Sequence, residues 1–455
     1  MEILFNKVGD PLMFDSSVMR IENEGLPSDY DEKRKELLST YSLGDVRTTP
    51  YGGEEWVDWG VDNDFPRFAA NVIAKTSVLN TGLRFLHRVL VGNGLQAVKV
   101  VGVKEDGTEL YELVQDERVN EIVNSRNTRR YLEEASRDYT KFGNACVEFV
   151  PNATFTDIAG LHVINAVNRR YSIPDSMGGC KVAVSNSWPA CPGSQKNDKP
   201  AIREVLQDFD PEEDYNRRRI LGKAKKSLCM RILDKWSQDD VYSEPIWLSA
   251  YILGWVDIAH LVPSFLRKAY KNQITWKWHV QIPYSYWEKK YPPENYESVE
   301  ARKADIQKFM NSVERNLCGA ENAEKPLFTN YAINEMNGRI EEEWKITSLD
   351  NKYKGGENLV TSAAANSEIL FALCINPNVL GAMPSGSYGS NQGGSNIREA
   401  YVVNIAQAWL DRSALLDPLY IRLHAAGVDK DVKLVYKNII LTTLDTGSGA
   451  KKTVA

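Results

Sequence analysis

Histidines, cysteines and carboxylates are the side chains that cleave bonds, move protons or hold metals, and here they are scattered. His87, His162, His260, His279 and His424 fall into no HExxH or HxH arrangement, so packed or surface roles are expected for them. Cys146, Cys180, Cys191, Cys229, Cys318 and Cys374 include no CxxC pair, whereas a zinc site needs ligands at short, clustered spacings. Free, buried thiols in a reducing compartment are expected; Cys180 and Cys191 could meet across a loop, but their spacing does not require it. Glu341, Glu342 and Glu343 are consecutive, and the alternation of a strand cannot bring all three to one face, so they read as a solvated edge. The tail GSGAKKT, Gly447 to Thr453, lacks the GxxxxGK[ST] spacing and the following helix of a phosphate loop. Neither G-x-S-x-G nor GxGxxG occurs. The sequence thus predicts no catalytic residue, no metal site and no cofactor: the chain is expected not to be an enzyme.

Two features suit binding instead. RRRILGKAKK, Arg217 to Lys226, is the one strong basic run. It can contact phosphates or form a solvated or assembly surface, and the acidic stretch Asp210 to Asp214 just upstream favours local neutralisation. The eleven tryptophans invite a role as stacking platforms for sugars or bases. Trp276 and Trp278, however, alternate with Lys277 and His279 on a strand that also carries Ile274, Val280 and Ile282, the pattern of a core or a subunit interface.

The elements that would position such groups are organised around Glu357 to Gly427. Two helix-like runs, one with Leu359, Ala363, Leu370 and Leu373 and one with Ile397, Tyr401, Ile405, Ala408, Leu415 and Leu419, flank the uncharged Pro/Gly/Ser/Asn-rich segment Asn376 to Ser395. Ser395 or Asn396 can cap the second run and Gly427 can end it. Upstream, residues 1 to about 50 read as a polar, irregular arm. The stripe Phe68, Val72, Leu79, Leu83, Leu86 and Leu90 predicts one long helix, opened by Asp64 and Pro66 and closed by VGNG. A helix over Asn127 to Tyr139 and strands around Ala145 to Phe149 follow. Met177 to Asp214 reads as a loop-like insertion. A helix over Pro245 to Asn272 is expected to kink or break at Pro263. The Trp strand, a helix bearing Ile306, Phe309, Met310, Val313 and Leu317, and strands near Leu327 to Glu335 and Glu341 to Leu349 make a small αβ unit. Val432 to Asp445 reads as strand, and the tail after it as flexible.

Composition sets outer bounds. A chain of 455 residues exceeds one comfortable core. The formal charge of -6 argues against a surface that coats nucleic acid, which is usually basic. Residues 1–14 carry an early Glu2 and no basic leader, so no signal peptide is expected. The most apolar helix, near Ala250 to Val262, contains Asp257 and His260 and falls short of the roughly 20 apolar residues of a membrane span; a cytoplasmic site of assembly is expected.

Several texts in order resemble the portal proteins of tailed bacteriophages. WGVDNDFPRFAANVIAKTSVLNTGLRFLHRVLVGNG is similar to that family's early helix with its G-x-G turn, and YTKFGNACVEFV to a wing strand. YSEPIWLSAYILGWVDIAHLVPSFLRKAYKNQ is similar to the approach to the stem. ILFALCINPNVLGAMPSGSYGSNQGGSNIREAYVVNIAQAWL is similar to the helix, proline turn, tunnel loop and tunnel helix. The resemblance covers roughly Trp56 to Gly427, with no counterpart for the segment 177–226. It implies an α+β portal-type subunit: an N-terminal arm (1–55), a β-rich wing (56–243), stem helices (244–272 and 350–375), a small αβ clip (273–349), a tunnel loop (376–395), a tunnel helix (396–427) and a C-terminal strand and tail (428–455). Such subunits assemble into a ring, usually of twelve, at one capsid vertex of the virion. That ring conducts double-stranded DNA in packaging and ejection, and meets the terminase large subunit, the major capsid and scaffolding proteins, and neck or adaptor proteins.

On this reading Pro384, Ser385, Ser387, Tyr388, Asn391, Gln392 and Ser395 face DNA, and Trp276, Lys277, Trp278 and His279 belong to a clip or assembly interface. Arg398 either touches phosphates or pairs with a neighbouring subunit's carboxylate. A neutral contact suits sliding, because each phosphate neutralised adds salt-dependent grip; twelve copies of a -6 chain carry -72, which discourages adsorption. Two rivals remain open from the residues alone: a packaging-associated nuclease or nucleotide hydrolase, and a tryptophan-rich surface-binding module.

Overall fold

The computed structural model describes residues 2–5, 11–15, 47–105, 107–190, 200–222, 227–236, 241–272, 278–318, 344–348, 356–380 and 394–438. The chain is α+β and divides into two compact units, Met1–Asp31 with Ser264–Glu357, and Glu32–Pro263 with Asn358–Ala455.

The N-terminal stretch is not wholly irregular, as its polarity suggested. Short apolar texts pair as the hairpin β1 (Glu2–Phe5) with β2 (Pro11–Asp15), and β3 (Thr48–Tyr51) pairs with β4 (Glu54–Val57). The helix expected from Asp64 onward is two helices, α1 (Phe65–Lys75) and α2 (Ser77–Val91), broken at an extended Thr76. Thr76 N–H still bonds to the Val72 carbonyl, and its own carbonyl accepts from Asn80. A buried, β-branched residue with poor helix propensity thus ends one helix and starts the next.

Strand β5 (Leu95–Val103) lies between β6 (Glu109–Leu113) and the C-terminal strand introduced below. Helix α3 (Glu117–Asn124) is capped by Asp116 and α4 (Arg126–Phe142) by Ser125, each side chain accepting from orphan N–H groups of the first turn. Helix α4 ends at Gly143, φ 72°, where a β-carbon would lie 2.8 Å from the Glu244 carbonyl oxygen. Both the left-handed backbone and the close approach require glycine here.

Six strands form the main sheet: β7 (Asn144–Pro151), β8 (Ile158–Val163), β9 (Arg169–Tyr171), β10 (Cys180–Val184), β11 (Ala201–Val205) and β12 (Leu228–Leu233), in the order β8-β7-β12-β11-β10-β9. The parallel pair β11–β12 is joined through helix α5 (Pro211–Ile220). This corrects the loop-like reading of Met177 to Asp214: the segment supplies two central strands and part of a crossover. Its strands are short, and Val182 and Ala183 are both buried, so no period-2 alternation shows against the Gly, Pro and Ser around them. Residues 191–199 of this stretch, and 223–226 after α5, lie outside the described residues.

Next come α6 (Leu248–Ile252) and α7 (Trp255–Asn272). The break lies at Gly254, φ 86°, and α7 runs through Pro263, so of the kink or break expected at the proline the structure excludes the break. The unit Ser264–Glu357 holds β13 (Trp278–Gln281), α8 (Tyr284–Lys290), α9 (Val299–Cys318) and β14 (Lys345–Ser348), with β13 antiparallel to β14. Trp287, Ile306 and Met310 are its small core; the Lys290 ammonium sits 3.6 Å from the Phe309 ring centroid. The strand expected near Leu327 to Glu335 lies outside the described residues.

Finally α10 (Gly356–Ala372), α11 (Pro377–Leu380), α12 (Gly394–Gln407) and α13 (Trp409–Ala425) lead to β15 (Val432–Tyr436), which pairs with β5. The predicted single helix after the loop is therefore two, meeting at Ala408. Leu415, Leu419, Ile421 and Leu423 of α13 are core residues, clustered with Tyr131, Val147 and Leu161 of the sheet unit.

A second core layer is cationic and aromatic. Consecutive Arg169, Arg170 and Tyr171 of β9 are all buried. Arg169 pairs with Asp138 at 3.3 Å and bonds to the Asn144 side chain at 2.7 Å. Arg170 donates to both the side-chain and backbone oxygens of Asn63, stands over Trp59 and Trp188, and is lowered to about 10 by burial. Asn63 is itself left-handed, φ 53°. Asn63→Ala is expected to lower the unfolding free energy by about 3 kcal/mol, combining left-handed strain with the loss of the side-chain oxygen that accepts from the buried Arg170 and from the Trp59 N–H. Asn63→Gly should recover only the strain, about 1 kcal/mol. Urea denaturation at unchanged m-value checks both, and an alanine cost below about 1 kcal/mol would contradict the assignment.

Candidate functional site

The site is the base of the uncharged segment, where α10, α11 and α12 meet α2. Helix α10 ends in a left-handed Cys374, φ 54°. Cys374 N–H bonds to the Phe371 carbonyl at 2.9 Å and Ile375 N–H to the Leu370 carbonyl at 3.0 Å, the paired bonds of a Schellman stop. Leu370, Leu373 and Ile375 are buried, and they converge on Gly82 of α2. A β-carbon at Gly82 would lie 2.4 Å from Leu373 Cδ1 and 3.4 Å from Ile375 Cδ1. Across the segment, Asn404 of α12 donates from Nδ2 to the Cys374 carbonyl at 3.0 Å. The two flanking helices are thus held to one another and the end of α10 to α2, with Pro377 opening α11 where its missing donor costs nothing.

Beside this base lies a cavity of about 300 Å³. Its walls include Leu86 and Leu90, and its polar groups include Tyr139, Asp234, Asn404 and Asp411. Tyr139 donates to Asp411 Oδ1 at 3.0 Å. Burial raises the Asp411 carboxyl, the Tyr139 bond lowers it, and the Asp234 charge raises it further.

Of the residues predicted to face DNA, Pro384, Ser385, Ser387, Tyr388, Asn391 and Gln392 lie outside the described residues. Ser395 falls within the first turn of α12, inside the helix that it or Asn396 was expected to cap. Arg398 is half-buried on α12 and makes no ion pair with another described residue. Trp276 and Lys277 lie outside the described residues; Trp278 and His279 stand opposite Ser348 and Thr347 in β13–β14. The described arginines of the basic run are engaged, two of them by carboxylates. Arg217 pairs with Asp214 at 2.6 Å, Arg218 with Asp214 at 2.8 Å and Glu204 at 2.7 Å, and Arg219 reaches the Ala425 carbonyl.

The tryptophans split. Trp56, Trp59, Trp188, Trp247, Trp287 and Trp344 are buried, whereas Trp236 and Trp409 are exposed. His87 is bonded to Ser136 at 2.8 Å and lowered chiefly by burial, and His424 faces Glu212 at 3.1 Å. Cys146 and Cys229 are buried free thiols, but Cys374 is exposed, which corrects the expectation of uniformly buried cysteines. Among the described residues no cluster of three potential ligands could hold a metal ion, and no helix is long and apolar enough to cross a membrane.

Sequence reasoning missed Gly82, Cys374 and Asn404. Only Asn404 left a signal, as an amide between apolar Val403 and Ile405 in an otherwise helical text.

No protein-family model and no curated protein matches the sequence. Solved structures do match. A chain of the structure "Virion of native gene transfer agent (GTA) particle" aligns over 89% of this chain and 88% of its own, with a TM-score of 0.51 and 14% identity. A chain of "Neck of native GTA particle computed with C12 symmetry" aligns over 91% and 90%, with a TM-score of 0.50 and 13% identity. The likeness is one of fold, and it spans nearly the whole of both chains.

Gly82→Val is expected to cost about 1–3 kcal/mol by overpacking against Leu373. Pairing it with Leu373→Ala should cost less than the sum of the two singles, because the deleted methyls vacate the space the valine needs. Strict additivity in thermal or urea melts would show that the two helices do not touch there.

Proposed function

We propose that the chain is the portal subunit of a tailed-phage-like particle. It assembles into a ring of twelve copies at one capsid vertex and conducts double-stranded DNA during packaging and ejection. The same ring docks the terminase large subunit, capsid and scaffolding proteins, and neck proteins, and it performs no catalysis itself. The observation that carries this reading is the fold likeness over about nine-tenths of both chains to a chain from a particle neck with C12 symmetry.

The anchored segment supports it. A stretch without an acid or a base, flanked by helices that are hydrogen-bonded to one another, provides a contact that hydrogen-bonds without gripping phosphates. A ring also needs surface for neighbours. Val360 and Phe371 on α10 and Trp409 and Leu410 on α13 are 71%, 79%, 67% and 69% exposed, and large apolar side chains left in water mark interaction surfaces.

Negative-stain imaging of the purified protein is expected to show rings with a central channel; strictly monomeric protein at high concentration would overturn the proposal. Trp409→Glu combined with Leu410→Glu should abolish rings while changing monomer stability by no more than about 0.5 kcal/mol, since both side chains are already in water. Deleting Ser385 to Gly393 should leave rings intact and impair DNA packaging or retention. Packaging at the normal level by the deleted ring would remove the tunnel role from this segment, and metal-dependent nuclease or ATP turnover by the purified chain would return the enzymatic rival.

A further inference from the structure

The chain is acidic as a whole, but one helix pair is not. Helices α2 and α4 pack side by side, joined by a 2.8 Å bond between the His87 ring and the Ser136 hydroxyl. Around that bond, Arg84 and Arg88 on α2 and Arg137 on α4 are exposed, and Lys141, one turn beyond Arg137, is half-buried. The cations act on one another. Burial and the charges of Arg137 and Arg84 lower the Lys141 ammonium, against the pull of Asp138. His87 is lowered by burial, with Glu133 opposing the charges of Arg137, Arg88 and Lys141. Asp138 does little to neutralise the face outward, because it is buried between Arg137 at 2.9 Å and Arg169 at 3.3 Å. Arg84 donates to the Asn80 amide oxygen, and Arg88 and Lys141 make no ion pair with another described residue. Beside this face, Tyr139 of α4 holds Asp411 of α13 at 3.0 Å, so the exposed Trp409 and Leu410 open a helix seated on α4.

A surface of opposite sign lies on the same chain. Glu117 and Glu121 of α3, one turn apart, and Glu112 of β6 are exposed and make no ion pair with another described residue. Arg118 between them is turned to the Ala426 carbonyl at 2.9 Å. Like charges four residues apart repel on a helix. That holds for Arg84 and Arg88 on α2 and for Glu117 and Glu121 on α3, and a facing pair of opposite sign relieves both.

We infer that the cationic α2–α4 face docks on the glutamate face of α3 in a second copy of this chain. This docking rests on the ring proposed above and names the two faces that meet in it. Because the faces differ, the contact is heterologous, the kind that closes into a ring. Copies of net charge -6 repel at long range. Their approach therefore needs a local match of opposite charge, which sets orientation and association rate, while Trp409 and Leu410 supply apolar contact.

The test reverses each face separately. Arg84→Glu with Arg88→Glu makes one variant and Glu117→Lys with Glu121→Lys the other; all four side chains are exposed, and thermal melts report on the fold. In sedimentation velocity at low salt, each variant alone is expected to need at least about tenfold more protein than the parent to form rings, since like charges then face one another. An equal mixture of the two restores a matched pair at every contact when the variants alternate, so it should form rings within about twofold of the parent concentration. Misfolded variants could not rescue one another.

Either variant forming rings at the parent concentration, or a mixture no better than its components, would overturn the docking and leave the ring reading intact. A parent that forms no rings would overturn both. An α2 variant that forms rings normally but loses salt-dependent binding to a DNA duplex would give the cationic face to nucleic acid and overturn the docking.

Discussion

The hydrogen bond from Asn404 Nδ2 to the Cys374 carbonyl is the joint on which the C-terminal half depends. Helix ends leave their last carbonyls without intrahelical partners, and burying one unbonded is costly. The end of α10 meets that demand in three ways at once: the backbone doubles back through a left-handed cysteine, two N–H groups reach the freed carbonyls, and the side chain of Asn404 takes another. Because Asn404 belongs to α12, the stop of one helix fixes the position of the next. The missing side chain of Gly82 then lets the joint sit against α2. An uncharged, glycine-rich segment has little cohesion of its own, so its placement has to come from its ends.

A comparable economy governs the main sheet. Buried guanidiniums are expensive unless each proton finds an acceptor, and β9 buries two in succession. Arg169 meets a carboxylate and an amide; Arg170 meets only carbonyl oxygens and ring faces. Arg231 on β12 is paired with Asp208. These groups tie β9, β12, α4 and the turn at Asn63 into one unit through bonds that a sliding register would break. Hydrophobic patterning alone specifies such a short strand weakly, so the polar network supplies the register.

What was legible in the sequence follows from the length scale of each signal. Helix α4 and the αβ texture of the Trp287 unit rest on periods sustained over several turns, and they were read with bounds good to a few residues. The breaks at Thr76, Gly254 and Ala408 were not read, because apolar spacing continues across all three and one residue's backbone angles decide the matter. Pro263, conversely, does not end its helix: losing one donor is tolerable where the neighbouring bonds persist. Strand β10 is hidden by brevity and by burial on both faces, and β11 by its brevity. The site divided likewise. An uncharged segment between two helices is a compositional fact, whereas Gly82 matters through contacts made across hundreds of residues of chain and Asn404 through one made across 30, neither of which a local pattern encodes.

The distribution of charge bears on how a neutral segment could serve beside a polyanion. Many of the described arginines are committed internally: Arg169, Arg217, Arg218 and Arg231 to carboxylates, Arg412 to the Val89 carbonyl and the Tyr436 ring, and Arg422 to the Ala159 carbonyl. A guanidinium spent on a buried acceptor offers no phosphate grip, so the fold consumes the cations that would otherwise make the surface sticky to nucleic acid. The excess of acid in the -6 chain then dominates at long range, falling off over a Debye length of about 8 Å in physiological salt. DNA moving along such a surface would be held off by charge and guided by contacts without charge, and friction would be set by hydrogen bonds that exchange readily with water.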